Sequence, residues 1–141
     1  MFKNKKMRAV TLAGAALCVA ATTALGSAAV AAIAAPSRVN APYAQASALI
    51  AADGSIIRGK GIKSVTKAPA LGRFCVQFED SRLDVTEITP VATLSTGGYP
   101  GSIYIDPGVN SQCNNQKDTL LIVTTDENRA GQYREFFLLV P

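Results

Sequence analysis

Histidine is absent from all 141 residues, and so is tryptophan. Without histidine there is no Ser-His-Asp or Cys-His nucleophile, no imidazole acid–base catalyst, and none of the imidazole ligands on which most zinc and copper sites depend. Catalysis by this chain would fall to carboxylates, lysine or tyrosine. The lack of tryptophan removes the best side chain for a carbohydrate-stacking platform. No acidic residue precedes Asp53, and beyond residue 46 no stretch repeats its apolar residues with the 3.6-residue period of a helix.

The missing acidic charge at the amino end has a counterpart. Lys3, Lys5, Lys6 and Arg8 precede an uncharged run from Ala9 to Ser37, in which 21 of the 27 residues from Ala9 to Ala35 are apolar. A basic tip followed by an apolar segment and small residues is the layout of a secretory signal peptide. Ala32-Ile33-Ala34 supplies small residues for cleavage before Ala35, and Ala44-Gln45-Ala46 is a second such site. The expected organisation is a leader over 1–34, a linker or leader tail over 35–46, and one domain over 47–141. An uncleaved leader would make the chain membrane-anchored. Cys18 follows bulky Leu17 inside the apolar run, unlike a lipid-acceptor cysteine, and there is no twin arginine. The whole chain carries +4, from 14 basic and 10 acidic residues. Removing the four basic residues of the tip leaves ten of each, so the exported part is neutral and a nucleic-acid partner is not expected.

Outside the leader only Cys75 and Cys113 remain. In an oxidising compartment they are expected to pair, closing a 39-residue loop counted inclusively. The chain beyond Ser47 alternates short apolar runs with Gly, Pro, Asn and Asp clusters, which predicts an all-β domain, a small antiparallel sandwich or barrel of seven or eight strands. Asp53-Gly54 between Ala48–Ala51 and Ile56–Arg58 is a hairpin signal, both turn positions tolerating positive φ. Strands follow over Gly61–Lys67, Arg73–Glu79, Ile88–Ser95, Ile103–Ile105, Thr119–Thr125 and Tyr133–Val140. Phe74, Val76 and Phe78 alternate with Cys75, Gln77 and Glu79, so Cys75 should face away from the aromatic core. Thr119–Thr125 lacks alternation, the pattern of a central strand.

Several residues bear on chemistry. Glu79, Asp80, Asp84 and Glu87 lie within nine positions, as a carboxylate pair of glycosidase type would require; acid-rich connectors of this kind more commonly face solvent. Asp106 with Asn110, and Asp126 with Asn128, offer oxygens in loops, where turn formation is the plainer role. Arg58, Lys60, Lys63 and Lys67 are interleaved with glycines, but no helix follows to complete a phosphate cradle. Tyr99, in Gly-Gly-Tyr-Pro-Gly, and Tyr104 are candidate binding anchors, with Lys60 and Lys63 completing the expected binding surface. No cofactor or metal is implied.

Gly59-Lys60-Gly61-Ile62-Lys63-Ser64-Val65-Thr66-Lys67, followed by Gly72-Arg73-Phe74-Cys75-Val76-Gln77-Phe78, resembles a family of small secreted β-domains of actinobacteria with some phage-fibre-associated relatives. Ile122–Asp126 and Glu135–Val140 look like the closing hairpin of such domains. The resemblance implies a secreted β-fold and assigns no functional residue. The reading that results is a secreted or cell-surface non-catalytic module that binds a protein or cell-wall component. A protease inhibitor using the Cys113 loop and a carboxylate-dependent hydrolase are the alternatives.

Overall fold

Strand assignment follows from where large apolar side chains recur at every second position. The computed structural model describes residues 37–38, 41–95 and 100–141. Within them lie β1 (Ser37–Arg38), β2 (Ala46–Ile50), β3 (Ile56–Lys60), β4 (Ile62–Lys67), β5 (Arg73–Phe78), β6 (Val91–Leu94), β7 (Ile103–Asp106), β8 (Thr119–Thr124) and β9 (Phe136–Val140), with a single 3-10 turn at Ser111–Cys113. They form two sheets in the orders β1-β3-β2-β9-β6 and β4-β5-β8-β7, a sandwich and not a closed barrel. All pairings are antiparallel except the short one between β1 and β3.

The core lies between the sheets. Phe74, Val76 and Phe78 of β5 and Leu120 and Ile122 of β8 meet Ala46, Ala48 and Ile50 of β2 and Phe136, Leu138 and Val140 of β9, all buried. Phe74 joins the layers: its ring centroid is 5.2 Å from that of Phe136 in the opposite sheet, and 5.2 Å from that of Tyr133, which meets it edge-on. Edge and tilted contacts suit the aromatic quadrupole better than a stacked sandwich. Val85, from the acidic connector between β5 and β6, is also fully buried, and its N–H donates to the carbonyl of Lys117 at 2.9 Å.

Cys75 faces outward from β5, as its place in the alternation requires, and is bonded to Cys113 with a Cα–Cα separation of 5.5 Å. The bond presses the Ser111–Cys113 turn onto the outer face of the second sheet, and Ala68, Cys75, Cys113 and Leu121 form a separate buried cluster there. This explains the continuous apolar run of β8: Leu120 and Ile122 face the core while Leu121 faces the strap. β8 lies between β5 and β7, the central position its pattern predicts.

Several boundaries differ from expectation by a residue or more, β2 beginning at Ala46 and β3 running to Lys60, and three differences have a local physical reason. The Asp53-Gly54 hairpin forms, but only Gly54 has positive φ, +93°. The turn spans Ala51–Ser55, with Gly54 N–H donating to Ala51 and Ala51 N–H to Ser55, and Asp53 Oδ1 accepting from the Ser55 N–H at 2.8 Å. It is a turn closed by a left-handed glycine, one residue wider than a two-residue hairpin loop. β6 begins at Val91, after Pro90, because proline has no N–H for the ladder. β9 begins at Phe136 and not Tyr133, because Gln132–Glu135 carry the chain from one sheet to the other.

Gly61 alone separates β3 from β4 and carries the chain from the first sheet to the second at φ +70°. A Cβ there would lie 2.5 Å from the Gln45 carbonyl oxygen and 3.2 Å from the Ala46 Cα. Gly61→Ala therefore combines left-handed strain with a backbone clash, and we expect it to lower stability by about 2 kcal/mol or more, read by chemical denaturation. Reduction of the disulfide, which spans 38 positions, should cost about 4 kcal/mol. Calorimetry with and without reductant should show a melting drop of about 15 °C or more; a drop of a degree or two would contradict the strap's structural role.

Candidate functional site

β9 is a run of five apolar residues, so both of its faces are apolar. Phe136, Leu138 and Val140 enter the core, which sends Phe137 and Leu139 to the outer face of the first sheet. Cross-strand register sets their neighbours. Phe137 lies between Leu49 of β2 and Thr93 of β6, and Leu139 between Ser47 and Val91. Arg58 pairs with Leu49 on the next strand, and its guanidinium carbon stands 6.0 Å from the Phe137 ring centroid, at the outer limit of a cation–π contact.

The result is a shallow groove of about 380 Å³ whose walls are Leu49, Val91, Phe137 and Leu139, with Arg58 as its only charged lining residue among the described residues. Val91 is 57% exposed, Leu139 42% and Phe137 38%, far above the core residues of the same strands. The Ser47 hydroxyl in the groove lining is buried and has no hydrogen-bond partner among the described residues. Contiguous apolar surface of this kind differs from singly scattered exposed residues. On the opposite sheet the equivalent surface is covered by the disulfide strap.

A second cleft, of about 320 Å³, opens beside the strap and is lined by Ser64, Thr66, Gln77, Gln112, Asn114 and Gln116, among others. Its polar groups largely serve one another. Ser64 donates to Gln77 Oε1 at 3.3 Å, Gln77 Nε2 donates to Asp118 at 3.1 Å, and the Thr119 hydroxyl lies 3.2 Å from Gln116 Oε1. The apolar groove has no such internal partner.

The residues singled out from sequence are dispersed. Tyr99 lies outside the described residues. Tyr104 is half-exposed on β7, and Lys63 is exposed on β4, at the opposite edge of the same sheet. Lys60 is on β3 in the other sheet, its ammonium engaged with the carbonyls of Ala41, Pro42 and Ala44. Because the corner at Gly61 falls in the middle of the basic cluster, Arg58 and Lys60 part from Lys63 and Lys67. Lys67 turns over Tyr133, 4.1 Å from its centroid.

The carboxylates serve local turns. Asp80 receives the Arg82 guanidinium at 2.9 and 2.8 Å and its N–H at 3.0 Å; these bonds hold its carboxyl at about 2, below the usual 3.8. Asp84 accepts from the Thr86 N–H and hydroxyl and faces Lys117 at 3.4 Å, and the Thr86 bonds lower its pKa. Asp53 is lowered by the Ser55 hydroxyl and N–H. Asp106 accepts from Gly108 N–H and Asn110 Nδ2, and Asp126 from the N–H groups of Asn128 and Ala130, so both loops with calcium-type oxygens use them as turn caps. The described residues contain no group of three or more potential metal ligands. In the Cys113 loop, Ser111–Cys113 form a 3-10 turn and Asn114 and Asn115 are left-handed, so this part of the loop is coiled against the sheet and not extended.

Sequence reasoning passed over Phe137 and Leu139, although five apolar residues in a terminal strand carry the signal. Compared with known protein families, characterised proteins and solved structures, the chain matches none.

The lowered carboxylates make a pH prediction. A group whose folded pKa is depressed contributes stability above its unfolded value and loses it as pH falls through the folded value. Because these groups are exposed and screened by solvent, the effect is small: stability should hold above pH 4 and decline slightly between about 4 and 2, the window set by the ordinary value of 3.8 and the Asp80 value of about 2. Asp80→Asn should flatten part of that decline in denaturation curves taken across the range.

Proposed function

We propose that this chain is an exported, non-catalytic binding module, directed out of the cytoplasm by the leader at 1–34, and that the outer face of its first sheet captures a protein partner. The observation that carries the reading is the apolar groove of Leu49, Val91, Phe137 and Leu139 beside Arg58, which no described segment covers. An apolar strip next to one cation is complemented by an apolar segment bearing a carboxylate. Export is supported by the basic-then-apolar amino end and by the Cys75–Cys113 bond, which persists in oxidising compartments. No helix among the described residues is long and apolar enough to cross a membrane. The non-catalytic reading is supported by the absence of histidine and by carboxylates spent on turn caps.

The test uses the mature domain and its Phe137→Ser/Leu139→Ser variant, whose fold should survive at a cost of about 1–2 kcal/mol because both side chains are partly exposed. Both are used to capture proteins from the native cell surface, with monomeric state followed by sedimentation. Retention by the parent of a protein that the folded variant releases at least tenfold faster is expected. Equal retention by both, or a parent that is itself a dimer dispersed by the substitutions, would overturn the partner reading.

A further inference from the structure

The stretch before the first full strand reads as linker or leader tail by composition, yet much of it is built into the sandwich. Ser37 and Arg38 pair in parallel with Arg58 and Gly59, covering part of the outer edge of β3. Lys60, two residues further along that edge strand, donates to the carbonyl oxygens of Ala44 at 2.7 Å, Ala41 at 3.0 Å and Pro42 at 3.5 Å. Ala44 N–H closes the turn onto Ala41 at 3.2 Å, and Gln45 N–H donates to Val140 at 2.9 Å, extending the β2–β9 ladder beyond β2. Ala46 is the first residue of β2, buried, and paired with Val140. The corner at Gly61 abuts the Gln45 carbonyl and Ala46.

These contacts discriminate between the two small-residue cleavage sites. A cut after Ala46 would strip the ladder bond at Gln45, remove one member of the core, and leave a charged α-amino group on Ser47, which is buried in a central strand. Burying an unpaired charge is costly. It would also release the pairing on β3 and leave Lys60 without its three acceptors, opening a sheet edge of the kind that templates pairing with another chain. A cut after Ala34 avoids all of these.

We infer that the leader is removed between Ala34 and Ala35, and that Ser37–Arg38 and Ala41–Gln45 remain with the mature domain and guard the β3 edge. The inference rests on the export reading of the preceding section. The decisive measurement is the intact mass of the protein recovered from its native culture medium. A chain beginning at Ala35 is expected. One beginning at Ser47, twelve residues shorter, or an unprocessed chain held at the membrane with its domain outside, would overturn the inference while leaving export standing, and unprocessed chain confined to the cytoplasm would overturn both. The guard role has its own test in purified chains beginning at Ala35 and at Ser47. The longer chain should be monomeric and the shorter should self-associate or melt lower; identical melting and monomeric behaviour in both would refute the guard. In the longer chain, Lys60→Met should raise amide exchange at Ala44 and Gln45 at least tenfold while leaving Phe74 and Ile122 unchanged. Unchanged exchange at Ala44 and Gln45 would contradict the clamp.

Discussion

The bond between Cys75 and Cys113 decides which face of the sandwich is covered. Both sheets contain a central strand with apolar residues on both sides, β8 in one and β9 in the other. In the second sheet the disulfide holds a loop over that surplus, so that Leu121 is as buried as a core residue. In the first sheet no described segment does the same for Phe137 and Leu139. A domain of this size has a modest core and benefits from a covalent constraint on its unfolded chain. The same constraint makes the two outer faces chemically unlike. One is strapped and lined with hydroxyls and carboxamides that bond among themselves; the other is apolar and open.

Charge reinforces the asymmetry. The ion pair between Asp80 and Arg82 and the caps made by Asp53, Asp84, Asp106 and Asp126 join residues close in sequence, with the Asp84–Lys117 contact bridging two connectors. Exposed pairs of this kind add little stability. They do use up five of the ten acidic side chains in shaping turns. With cations split between two sheets at Gly61, no large field of one sign is left to steer an anionic polymer.

Much of the fold was legible because the relevant rules are local. Alternation along Phe74–Phe78 gave the core face and the outward direction of Cys75, and the Asp53-Gly54 pair marked its hairpin. What was not legible depended on contacts distant in sequence. Nothing near Val85 distinguishes it from the acidic connector around it, yet it fills the core. The arm, described at Ser37–Arg38 and Ala41–Gln45, has a proline and no periodicity, and those residues are placed by β3, Lys60 and Val140. Phe137 and Leu139 could not be told from core residues without knowing that the strap lies over β8 and not β9. Lys60 and Lys63, neighbours in sequence, lie in different sheets because of a one-residue corner, and Tyr104 lies on β7 at the edge opposite Lys63.

The account turns on the first sheet's outer face being the one that meets another protein. A photoreactive amino acid at position 137, and separately at position 114 beside the strap, tests this in the living cell without requiring a folded variant to lose anything. Cross-linking to a single discrete protein from position 137 and none from position 114 is the predicted result. Cross-links from 114 alone would contradict it.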